Sequence, residues 1–178
     1  MTIDTNTSLA ELEYLAYIDA NGQLPEGFQN QVGVYAIFDR DRVLQFVGYS
    51  RDVYLSLKQH LVRQPEKCYW LKVQTINRPS RTVLEEIKEA WIAENSSIPP
   101  GNVANTTPWN EPIDAKLAMT ADEQTSYQAS DELIQIKLLK SVARRVEATV
   151  LSNLESRGVK VPIRFNPKLK EKGILDLT

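Results

Sequence analysis

The chain has 178 residues, of which 42% are hydrophobic and 25% charged, with a formal net charge of −2. That composition supports a packed core and excludes wholesale disorder and fibrous architectures. The longest uncharged run, Asn95–Asn110, is polar, so no transmembrane segment is expected.

The single cysteine, Cys68, cannot form an internal disulfide, and the single histidine, His60, excludes a histidine-rich metal centre. The first basic residue is Arg40, behind Asp4, Glu11, Glu13, Asp19, Glu26 and Asp39. Signal and transit peptides have the opposite pattern, so a cytoplasmic protein is expected. Charge is uneven along the chain. Met1–Pro112 carries ten basic and fourteen acidic residues, Leu133–Lys172 ten basic and three acidic. The basic stretch suits nucleic acid (DNA or RNA), an anionic surface or a protein partner; it also suits a solvated helix face.

In chain order, Ser8 caps a short predicted helix over Leu9, Leu12, Tyr14 and Leu15. Asn21-Gly22 and Pro25-Glu26-Gly27 mark a loop. Gly33–Phe38 and Val43–Gly48, rich in β-branched and aromatic residues, read as two hairpin strands around the turn Asp39–Arg42. Ser50-Arg51-Asp52 opens a helix with Val53, Leu57, His60 and Leu61 at helical spacing, and Pro65 ends it. Tyr69–Ile76 reads as a third strand. Thr82 and Glu85 have capping-box spacing for a helix running to Glu94. Residues 103–130 read as a polar linker. A long amphipathic helix follows over 131–158, with the stripe Leu139, Val142, Val146, Val150 and Leu154 and a C-terminal Gly158. Residues 159–178, with Pro162 and Pro167, read as a basic extended tail.

The expected fold class is therefore α+β: a small three-stranded sheet flanked by helices, plus the C-terminal helix and tail. Residues 1–32 form an N-terminal helix and loop, and 33–102 the main domain.

Gly33-Val34-Tyr35 and Phe46-Val47-Gly48 resemble the paired tripeptides of the GIY-YIG nuclease superfamily. The likeness continues through Ser50, Asp52, Leu57 and His60, then Trp91-Ile92 and Pro99-Pro100-Gly101-Asn102. It resembles most the N-terminal endonuclease-like domain of plant plastid monothiol glutaredoxins, over about residues 33–102. No glutaredoxin CGFS site follows.

The resemblance implies phosphodiester hydrolysis assisted by Mg²⁺ or Mn²⁺, with Tyr35 helping to activate water, His60 beside it and Asn102 closing the motif. Phe46 stands for the second family tyrosine and keeps only its stacking surface. Two positions depart from the pattern: the family arginine falls on Ser56 and the metal-binding glutamate on Lys88. A charged lysine cannot ligate a cation. Losing one preorganised electrostatic donor costs about 2.7–4 kcal/mol in the transition state. Arg51 is the candidate substitute for the arginine. Glu85 is the candidate metal ligand, with Glu86 and Glu89 as alternatives. Phe46, Asn102, Lys137, Lys140, Arg144, Arg145, Lys168 and Lys170 are candidates for nucleic-acid or partner binding. Two readings result: a weak divalent-metal-dependent endonuclease, or a non-catalytic pseudo-nuclease acting through its basic C-terminal helix and tail.

Overall fold

The computed structural model describes residues 7–178 and divides the chain into two compact units that meet in sequence at Asn110 and Glu111. Residues 1–6 of the N-terminal segment, Asp4 among them, lie outside the described residues.

The first unit is built on a four-stranded antiparallel sheet with helices on both faces. Its strands are β1 (Leu15–Ala16), β2 (Val32–Phe38), β3 (Leu44–Ser50) and β4 (Trp70–Ile76), in the order β1-β4-β2-β3. Where the sequence predicts three strands, β1 adds a fourth through the pairs Leu15↔Leu71 and Ala16↔Trp70. The predicted N-terminal helix is shorter than expected. Ser8 does form a capping box, but with Glu11 at the head of one 3-10 turn, Leu9–Glu11.

Two helices sandwich the sheet: α1 (Val53–Arg63) and α2 (Arg81–Glu94). Asp52 caps α1 by accepting from the Leu55 N–H at 3.2 Å. The cap of α2 is Ser80, which accepts from the Val83 N–H, and not Thr82 with its capping-box partner Glu85. The hydroxyl two residues earlier meets the first free N–H groups after the Arg78-Pro79 turn.

Strand alternation sorts β2 onto two faces. Val34, Ala36 and Phe38 pack with Leu84, Ile87 and Trp91 of α2, alongside Leu44 and Val47. Each such fully buried side chain stabilises the fold by about 1.5–3 kcal/mol before ordering costs. Tyr35 and Ile37 project to the other face, toward α1, where Leu57 and Leu61 are fully buried. Tyr17, also fully buried, donates its hydroxyl to the Leu57 carbonyl.

The segment read as a polar linker is structured. It holds α3 (Thr106–Asn110), whose Trp109 is buried, and, in the second unit, β5 (Ile113–Asp114) and α4 (Ala121–Ala129). The second unit continues with α5 (Glu132–Ser156), capped by Asp131. Gly158 at φ +76° turns the chain beyond it, and the Val159 N–H closes back on the Leu154 carbonyl at 3.0 Å.

The predicted extended tail instead folds. It contributes α6 (Pro167–Lys170) and β6 (Ile174–Leu175), and β6 pairs antiparallel with β5. Val161, Phe165 and Leu175 are buried, as are Leu139, Val142 and Leu154 of α5. The apolar stripe of α5 is thus covered within its own unit by the segments on either side of it in sequence; Val146 and Val150 are only half-buried. No helix among the described residues is long and apolar enough to cross a membrane.

Candidate functional site

Tyr35 on β2 sits directly across from Gly48 on β3. A Cβ on Gly48 would lie 2.9 Å from the Tyr35 hydroxyl oxygen and 2.6 Å from the Phe46 ring, so only glycine permits this approach. The Tyr35 hydroxyl meets His60 Nε2 at 2.8 Å. Ser56, one turn before His60 on α1, donates to Ser50 Oγ at 2.7 Å. Ser56 therefore belongs to a run of neutral hydrogen bonds that continues from Ser50 Oγ to the Asp52 carbonyl.

His60 is enclosed by aromatic rings. Its centroid lies 4.7 Å from that of Phe46 and 5.5 Å from those of Tyr35 and Trp109. Phe46 and Trp109 stack in parallel at 5.1 Å. Trp109 is held from its backbone, because the Arg63 guanidinium donates to its carbonyl at 3.1 Å. Trp109 is the site residue that sequence patterning misses. Its only signal is a lone tryptophan in an otherwise polar, proline-flanked stretch.

Burial sets the protonation of the pair. It pushes the His60 imidazole down to about 3; the Arg63 charge acts in the same direction, and the Trp109 carbonyl works weakly against both. Burial also raises the Tyr35 phenol above its ordinary value, more than the Ser56 hydrogen bond and the Arg63 charge lower it. At neutral pH the contact joins a phenol that keeps its proton to an uncharged imidazole. Such a pair positions side chains well and is a poor source of base or charge.

A cavity of about 270 Å³ lies beside the pair, lined by Tyr35, Phe46, Gly48, Tyr49, Lys88 and Asn102 among others. Lys88, on α2, sits 3.8 Å from Glu85 Oε1 and 5.7 Å from the centre of the Tyr49 ring. Glu85, Glu86 and Glu89 do not line the cavity; Glu85 is the ion-pair partner of Lys88, and the other two are exposed. Among the described residues no group of three or more His, Cys, Asp or Glu side chains is placed to hold a metal ion. The cavity offers an ammonium where Mg²⁺ or Mn²⁺ needs an anionic oxygen, so its residues do not fit the metal.

Of the two other candidates, Arg51 stands elsewhere and Asn102 lines this cavity. Arg51 is exposed and lines a different cavity, which shares Tyr49 with the first but contains neither Tyr35 nor His60. Asn102 spends its side-chain amide on the backbone of Val47.

The basic candidates of the second unit are partly neutralised by its own acids. Lys140 pairs with Glu171 at 3.2 Å and Lys170 with Glu147 at 2.5 Å. Arg145 grips both Glu123 oxygens, at 2.8 and 3.0 Å, and holds that carboxyl well below its ordinary value, at about 2. Arg144, Lys168 and Lys137 are exposed. Arg144 and Lys168 share a cleft of about 200 Å³ with Lys140 and Lys170.

No family model matches the chain. An alignment 99 residues long, taking in 53% of the chain, is 36% identical to the bifunctional monothiol glutaredoxin-S16, chloroplastic, of Arabidopsis thaliana, and covers 32% of that protein. The chain thus spans about a third of the length of the relative it matches.

Proposed function

We propose that residues 33–102 are a GIY-YIG-like domain that binds phosphodiesters without hydrolysing them. The observation that carries this reading is Lys88, which lines the Tyr35 cavity at the position where the family resemblance calls for a metal-holding glutamate. An ammonium repels a divalent cation, yet can itself meet a phosphate oxygen as a point charge. Tyr35 cannot compensate as a base, because burial keeps its proton on. Arg51, at the neighbouring cavity, does not supply the missing guanidinium beside Tyr35. The 36% identity to part of a plant glutaredoxin supports the kinship of the domain.

A weak Mg²⁺- or Mn²⁺-dependent endonuclease is the second reading. The 2.8 Å contact between Tyr35 and His60 favours it, since it keeps that motif pair together. The exposed Arg144 and Lys168 extend either reading to an acidic protein or nucleic-acid partner of the second unit. The cytoplasm is the compartment we assign, which cell fractionation tests.

The deciding experiment incubates the full chain with supercoiled plasmid and with single-stranded RNA, in Mg²⁺, Mn²⁺ or EDTA. The expected result is no cleavage in any of them, together with strand retention that falls steeply as salt rises. Divalent-dependent nicking that Tyr35→Phe abolishes would establish the endonuclease instead.

A further inference from the structure

A second cavity, of about 430 Å³, opens in the first unit where β2 begins and β3 ends. Its lining joins an apolar set (Val32, Pro79, Leu84 and the Tyr49 ring) to two cations, Arg51 and Arg81. No acidic side chain lines it, and among the described residues neither guanidinium forms an ion pair. The two serine hydroxyls in the lining already have partners in the chain. Ser50 Oγ donates to the Asp52 carbonyl at 2.9 Å, and Ser80 Oγ accepts from the Val83 N–H at 3.3 Å. The charged groups left in the cavity are therefore both cations, with the Tyr49 phenol as a neutral neighbour.

Arg51 precedes α1 and Arg81 opens α2, so the two come from segments brought together only by the fold. Like charges around one cavity repel until an anion lies between them. Guanidinium forks match the oxygens of a phosphate in geometry as well as in charge. The aromatic and aliphatic wall beside them suits a flat, weakly polar ring, and the volume lies within the range of small-molecule sites.

We propose that this cavity binds a nucleoside monophosphate, its phosphate held by Arg51 and Arg81 and its base laid against Tyr49 and Leu84. The two arginines lie outside the cavity that Lys88 lines, and Tyr49 borders both cavities.

The test is calorimetric titration of the full chain with the adenosine, guanosine, cytidine and uridine 5′-monophosphates, with adenosine and inorganic phosphate as the separate halves. At least one monophosphate should bind saturably. Arg51→Ala and Arg81→Ala should each weaken it by about tenfold or more, and removal of the phosphate should do the same. Arg81→Lys, which keeps the charge and loses the fork, should fall between. Lys67→Ala, at an exposed residue that lines neither cavity, should leave the affinity within about twofold. Both arginines are exposed, so unchanged melting curves should accompany these losses. No saturable binding up to about 10 mM would overturn the proposal. So would an affinity indifferent to both arginine variants, or an oligonucleotide that binds where no monophosphate does.

Discussion

Asn102 pairs with both backbone groups of Val47: its Oδ1 accepts from the N–H and its Nδ2 donates to the carbonyl, each at 2.8 Å. Strand β3 is one of the two outer strands of the sheet, and this side chain acts as one further rung on its open edge. It also fixes the chain between α2 and α3, so that Trp109 can return to Phe46 and His60. The motif asparagine is an architectural residue here.

Asn102→Ala should therefore destabilise the protein by about 1–3 kcal/mol, because it leaves two part-buried backbone groups without these bonds. Urea denaturation measures the loss. Wild-type stability in the variant would show that water replaces the amide at no cost.

His60 predicts a pH dependence of definite sign. Its ordinary value is 6.5 and burial lowers it to about 3, so between these values the unfolded chain binds a proton that the folded chain does not. Stability is unaffected by this group above pH 6.5 and is lost as pH falls toward 3, with a limiting slope of about 1.4 kcal/mol per pH unit. Since the chain has one histidine, the slope between pH 6.5 and 5 should flatten in His60→Gln. An imidazole NMR titration with a midpoint near 6.5 in the folded state would contradict the burial argument.

Trp109→Ala should cost about 3–5 kcal/mol, the usual range for deleting a buried tryptophan. It should also unstack Phe46 and open His60 to water. The second effect gives a distinct reading: the His60 midpoint should rise toward 6.5 in the variant. A folded variant whose midpoint stays near 3 would mean that the other neighbours seal the imidazole without Trp109.

In the second unit, Gly173 has φ +73°, and a Cβ there would lie 3.0 Å from Lys116 Cγ and 3.2 Å from Leu139 Cδ2. Gly173→Ala should destabilise the protein by about 1–2 kcal/mol through backbone strain alone, and crowding of Leu139 adds to it. Thermal unfolding checks the direction; an unchanged or raised midpoint would refute it.

Deletion of residues 159–178 should have a larger effect, since it removes Val161, Phe165 and Leu175 from the core around α5. The truncated chain should bind a hydrophobic dye or self-associate. A soluble monomer with the original melting curve would place the stability of α5 elsewhere.

Local pattern carried much of this architecture. The hairpin strands, α1, β4, α2 and α5 are readable because each contains its own signal: alternation, helical spacing, or a capping residue ahead of an apolar run. The tripeptides and His60 likewise mark a face, since strand alternation and one turn of helix decide which way Tyr35 and His60 point. What local pattern could not decide was anything that depends on a distant partner. Leu15–Ala16 is too short to read as a strand, and it becomes one only because Leu71 and Trp70 offer it an edge. Trp109 sits among polar residues whose composition describes a linker, and its value lies in the Phe46 ring more than sixty positions earlier. Three of the basic side chains of the second unit look free in sequence and are neutralised by Glu123, Glu147 and Glu171 in space. Composition and periodicity record what a segment prefers by itself. Burial, ion pairing and the pKa of His60 are properties of the neighbours that the fold brings to it, and for this protein those neighbours decide the chemistry of the cavity.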